Sequence, residues 1–113
     1  MRYLFNVPII TNYGTFGYRK SSFDEAKAFV EKPGWTSAIG HEGTARFLSA
    51  VLGIEIAVNR KTVRMGPGDE ALVLRMLERV PEGTVFRTID EISRWPHEFG
   101  ILRMFQAEGG NGQ

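Results

Sequence analysis

The stretch "SAIGHEGTARFLSAVLG" (Ser37 to Gly53) carries a histidine that folding alone does not require. His41 stands between Gly40 and the Glu42-Gly43 pair, just before an apolar run with helical spacing. A strand, a glycine turn and a helix start form a common anion-binding arrangement. Unpaired N–H groups point out of the helix N-terminus, and the dipole favours negative charge. Gly40 and Gly43 would let a ligand come close to the backbone. Imidazole titrates near neutral pH, so a histidine there suits general-acid work. The plainer alternative is a polar helix-start residue on the surface. "GHEGT" is neither a Walker loop nor a dinucleotide fingerprint, because both need a different glycine spacing.

Arginines supply the other chemistry. "VNRKTVRM" holds Arg60, Lys61 and Arg64. Strand alternation would put Arg60 and Arg64 on one side, and an arginine fork grips a phosphate at two points. A solvated strand face is the alternative. "RMLERVPEGT" brings Arg75, Arg79 and Glu82 close in sequence. Arg79 and Glu82 form either a surface ion pair worth little or an active-site pair, with arginine on a phosphate and glutamate orienting another group. The second histidine, His97, sits beside Pro96 and reads as a surface residue. There is no HExxH pattern and no cysteine. We therefore expect no metal site, no disulfide framework and no cofactor.

These residues need elements to position them. "RYLFNVPII" reads as a strand that bends or ends near Pro8. "TNYGTFGYRK" has two glycines among aromatics and reads as a loop or irregular hairpin. "SSFDEAKAFVEKPG" is a helix, with a capping box from Ser22 to Glu25 and a stop at Pro33-Gly34. "WTSAI" is a short buried strand. "TARFLSAVLG" is a second helix, with Phe47, Leu48, Val51 and Leu52 inward and Gly53 as its C-terminal cap. "IEIAVNRKTVRM" reads as extended, alternating at Ile54, Ile56 and Val58 and again at Val63 and Met65. "GPGD" is a turn. "EALVLRML" fits a strand or a short helix. Its place between two turns favours a strand. Thr88 and Glu91 in "TIDEISRW" make a second capping box for a short helix. "FGILRMFQ" is the last strand.

Five or six strands and three helices in mixed order predict an α/β fold. We expect a single domain over 1–107, with a mixed β-sheet of about five strands and flanking helices. Residues 108–113 would be a flexible tail. The chain has 113 residues, 42% of them hydrophobic, so its core is small, and pairing into a homodimer would add stability. The net charge of +1 excludes a bulk electrostatic grip on DNA. "MRYLFNVPII" is too short and interrupted for a signal peptide or membrane span, so we expect a cytoplasmic protein with no membrane partner.

Several motifs occur together in one order: "LFN", "SAIGHEGTA", "VNR", "PGDEALVL" and "RVPEG". In this the chain resembles a viral and mobile-element family that includes the anti-CRISPR ring nucleases, which act against type III CRISPR immunity. The likeness runs from Tyr3 to about Phe105. It implies a homodimer that binds cyclic tetra-adenylate across the dimer axis. The ring would be cut without metal into linear di-adenylate ending in a 2′,3′-cyclic phosphate. The catalytic residues it implies are His41, Arg79 and Glu82. Arg60 would bind phosphate, and Asn6, Gly43 and Thr44 would touch the ligand. Arg75 stands where some relatives carry an uncharged polar residue, so the likeness leaves its role open. Glu82 would orient His41 or Arg79, favour the protonated histidine through its charge, or act as base.

Two other readings remain. One is a dimer that binds a cyclic nucleotide or nucleic acid without catalysis. The other is an interaction protein using Tyr13, Phe16 and Tyr18 as its contact; in the enzyme reading, that loop is a lid over the ring. The enzyme reading implies no stable protein partner beyond the second copy.

Overall fold

The computed structural model describes residues 1–6, 12–78, 81, 83, 88, 91 and 94–107. Seven elements follow in the order β1 (Arg2–Phe5), β2 (Gly14–Ser21), α1 (Phe23–Glu31), β3 (Trp35–Ser37), α2 (Glu42–Leu52), β4 (Glu70–Met76) and β5 (His97–Ala107). Among the described residues the strands form one mixed sheet of order β2-β5-β4-β1-β3. β1 runs parallel to both β3 and β4, while β5 is antiparallel to β4 and β2. The expected α/β domain is thus present.

Burial explains the middle of the sheet. In β4 the run Ala71, Leu72, Val73, Leu74 is buried on both sides, as an unbroken apolar run requires in a covered strand. Leu72 and Leu74 face α1 and α2, joining Leu4, Ala26, Val30, Leu48, Leu52, Phe99 and Ile101 in one cluster. Ala71 and Val73 face the other way, with Tyr3, Phe5, Leu102 and Met104. Among the described residues no helix lies over that second face, and Val63 and Met65 pack on it.

The helices end where their sequences direct. Ser22 and Glu25 close the reciprocal capping box of α1, an arrangement whose cap contributes about 0.5–2 kcal/mol. Gly53 takes the left-handed conformation, with φ of 69°, and caps α2. Only part of the second capping box is described: the Glu91 N–H donates to Thr88 Oγ1 at 3.2 Å.

Two expectations fail. "TNYGTFGYRK" is not a loop, because Gly14–Ser21 pairs antiparallel with β5 and has a register shift between Thr15 and Phe16. Its glycines serve close packing: a Cβ on Gly17 would lie 2.6 Å from the Phe105 ring. Phe16 packs into the second core cluster, so most of this segment is fixed strand and not a lid. The stretch from Ile54 to Met65 belongs to no strand. Its inward face switches on the way. Ile54 and Ile56 pack on the helix side, Val63 and Met65 on the opposite side, and Val58 is exposed. The chain crosses between the two faces around the edge strand β3.

The turn before β4 is tied down. Asp69 accepts from the Gly66 N–H at 2.7 Å and from the Met1 ammonium at 2.8 Å. Burial opposes ionisation of Asp69, but these two partners more than offset it and hold the carboxyl below its ordinary range. A depressed carboxylate contributes stability above its unfolded pKa, near ~3.9, and loses it as pH falls through the lower folded value. We expect the urea midpoint to drop over that acid window, and Asp69→Asn to flatten the drop. An equal acid slope in both proteins would refute the assignment. No helix among the described residues is long and apolar enough to cross a membrane.

Candidate functional site

The parallel strands share one carboxyl end, where ligands gather in open α/β sheets. Leu4 pairs with Ser37, and Phe5 with Val73. Asn6 therefore leaves the central strand β1 between the exits of β3 and β4. Asn6 is half-buried there.

The exit of β3 leads directly to His41. Ala38 N–H donates to Leu4 O at 2.9 Å, which keeps the chain on the sheet for one residue more. His41 is then the N-cap residue of α2, so the helix begins earlier than its apolar run suggests. His41 has extended backbone, and its carbonyl accepts the first helical bond from Ala45 N–H at 3.1 Å. Its exposed side chain makes no capping hydrogen bond. Serine or aspartate here would take the N–H of Gly43 or Thr44. His41 does not, and leaves those donors facing outward. The imidazole lies close to Gly43, where an added Cβ would stand 3.3 Å from the ring carbon Cε1. Glu42 is drawn off to Arg46, one turn along the helix, at 2.6 Å.

Arg60 is held at the same turn. Its Nε–H donates to Gly40 O at 2.7 Å, and its stem crosses Gly40. This bond leaves the fork of terminal nitrogens for an anion. Two residues not singled out in the sequence hold this contact. Asn59 Nδ2 donates to Ser37 O at 2.7 Å, and Ser37 Oγ donates to Ala57 O at 2.6 Å. Asn59 N–H also donates to Ile39 O at 2.8 Å. No local pattern marks Asn59 or Ser37, because each bond spans about twenty residues of an irregular segment.

Arg75 is placed differently. It lies near the end of β4 on the face opposite α2, in ion contact with Glu98 at 2.6 Å. Tyr18 stands near this pair. Burial pushes its phenol up, with Arg75 opposing and Glu98 reinforcing the shift. Any anion at Arg75 must compete with Glu98. Arg79 and Glu82 lie outside the described residues. The strand leading to them is pinned, however. Leu77 N–H donates to Pro96 O at 3.0 Å, and the Trp95 indole N–H donates to Glu78 O at 2.8 Å. His97 is half-buried, with its ring edge-on to Phe47 and Phe99, rather than a free surface residue. Among the described residues no group of three acidic or histidine side chains is arranged to hold a metal.

The sheet order and the two helices among the described residues define a small α/β domain, and the chain belongs to the STIV B116-like family, whose model matches residues 2–99. Relatives include the uncharacterized protein ORF117 of Acidianus two-tailed virus, which is 37% identical over 95 residues, covering 80% of this chain and 81% of that protein. The uncharacterized protein YddF of Bacillus subtilis is 33% identical over 99 residues, 86% of this chain and 91% of that one. Among solved structures, B116 of Sulfolobus turreted icosahedral virus superimposes with a TM-score of 0.76 over 90% of this chain and 97% of that chain. At 24% identity that likeness establishes the shared fold.

Proposed function

We propose that this protein is a homodimeric, metal-independent ring nuclease that cleaves cyclic tetra-adenylate and so suppresses type III CRISPR signalling in the host cytoplasm. The observation that carries the reading is the pairing at one turn of an exposed, non-capping His41 with an Arg60 tied to Gly40. The motif order shared with anti-CRISPR ring nucleases and the relatives in viruses support it.

The chemistry needs little from the protein. The ribose 2′-OH of the ring attacks its own phosphorus and loses its proton. The new 2′-O–P bond closes a 2′,3′-cyclic phosphate, the P–O5′ bond breaks, and the 5′-oxygen takes up a proton. The enzyme holds the in-line geometry and stabilises charge on the phosphoryl oxygens. Arg60 and Arg79 serve that charge, with the Gly43 and Thr44 amides beside them. His41 protonates the leaving oxygen. Glu82 orients His41 or Arg79, or takes the 2′-OH proton. Asn6 contacts the ring from β1. Two copies about a dyad cut two opposite phosphates and release two di-adenylates.

Labelled cyclic tetra-adenylate incubated with the protein in EDTA should become di-adenylate with a 2′,3′-cyclic phosphate. An intact, unbound ring would sink the proposal. Tight binding without turnover would select a non-catalytic cyclic-nucleotide binder instead.

A further inference from the structure

The site contains a device that no motif announces. The segment after α2 crosses from one face of the sheet to the other, and residues 57–62 are exposed throughout the crossing. An exposed crossing without ladder bonds has nothing in regular structure to fix it. Here it is fixed at four points within four residues. Ser37 Oγ reaches Ala57 O, Asn59 Nδ2 reaches Ser37 O, Asn59 N–H reaches Ile39 O, and Arg60 Nε–H reaches Gly40 O. Ser37 is 9% exposed, and its hydroxyl also accepts from Ile39 N–H at 3.3 Å. The polar atoms on the β3 exit are thus spent on orienting the crossing.

We infer that Asn59, Ser37 and Gly40 are positioning residues that set the guanidinium of Arg60 beside the start of α2. Asn59 fixes the backbone one residue before Arg60, from both its amide hydrogen and its side chain. Gly40 supplies the acceptor and the room, since a Cβ there would stand 3.3 Å from Arg60 Cγ. A free surface arginine must order several rotatable bonds when it meets a phosphate. A clasped one has ordered them beforehand, so the device acts on affinity. The ligand in this inference rests on the function proposed above; the placement of Arg60 does not.

The test uses the full chain with Asn59→Ala and Gly40→Ala. The first removes a clasp bond. The second leaves Ser37 and Asn59 intact and pushes only on the Arg60 stem, so it covers the case in which the first variant folds poorly. The Arg60 Nε–H resonance reports the Gly40 bond directly, by its protection from solvent exchange. We expect protection in the wild type, its loss in Asn59→Ala and its weakening in Gly40→Ala, where the Arg60 stem must shift by a few tenths of an ångström. Affinity for cyclic tetra-adenylate should fall ~10- to 100-fold, the scale of a hydrogen bond to a charged group. The rate at saturating ring should fall by less than the affinity, because Arg79 and the Gly43 and Thr44 amides still meet the phosphoryl charge, whereas general destabilisation lowers the rate and leaves affinity per folded molecule unchanged. Wild-type protection and wild-type affinity in both variants would overturn the inference. If the wild type binds no ring at all, the proposed ligand is wrong, and the resonance alone then decides the positioning claim.

Discussion

Replacing His41 by alanine should lower the proposed cleavage of cyclic tetra-adenylate by ~10²–10⁴-fold, the usual worth of a positioned general acid. It should do so with almost no change in the thermal midpoint. His41 is exposed and contributes no side-chain cap to α2, so its removal costs the helix no hydrogen bond. His41→Asn sharpens the test. Asparagine is among the best N-cap residues, and it would take the Gly43 or Thr44 amide that histidine leaves open. It should stabilise the fold relative to alanine by about 0.5–2 kcal/mol, while remaining as inactive as alanine. The helix would gain its cap and the site would lose its proton donor, so stability and activity would move in opposite directions. A residue that is poor for the fold at its own position is the signature expected of a functional one. Equal cleavage by wild type and His41→Ala would remove His41 from the mechanism. Loss of activity accompanied by a large fall in midpoint would show that His41 acts on folding instead.

Much of the fold was readable because local signals and burial agreed. The Ser22–Glu25 box and the Gly53 cap mark helices that exist. The Ala71–Leu74 run marks a strand buried on both sides. β2 was misread because Gly14 and Gly17 usually punctuate turns, whereas here Gly17 makes room for the Phe105 ring of the neighbouring strand. That need arises across the β2–β5 pair, far away in sequence. The change of face in the crossing after α2 is hidden for a related reason. Alternation before and after it is genuine, but Ile56 and Val63 point to different faces, and no period registers such a switch. At the site, the glycines around His41 were informative alone. Arg60 was visible as an arginine but not as an anchored one, because the Asn59–Ser37 and Arg60–Gly40 bonds join distant irregular segments. The partner of Arg75, Glu98, lies 23 residues on and meets it only when β4 pairs with β5. For Arg79 and Glu82 the shared motif order remains the only guide.

Leu4→Ala tests the scaffold rather than the chemistry, and its effect should be the largest on stability. Leu4 is 0% exposed, in the central parallel strand, and packs against the cluster that joins both helices to the sheet. Truncation loses the buried methyl groups and leaves a cavity that rigid neighbours fill only in part, at a cost of about 2–5 kcal/mol. Domains of this size hold about 5–15 kcal/mol in total, so the variant should unfold many degrees below the wild type. The backbone carbonyl of Leu4 also receives the Ala38 amide that steers β3 towards His41, and that bond survives the substitution. Cleavage per folded molecule should therefore persist at low temperature and collapse early on heating, whereas His41→Ala should be inactive while fully folded. Thermal denaturation followed alongside ring cleavage separates the two patterns. A Leu4→Ala protein with the wild-type midpoint would show that the β1 strand does not anchor the helix face as its burial implies.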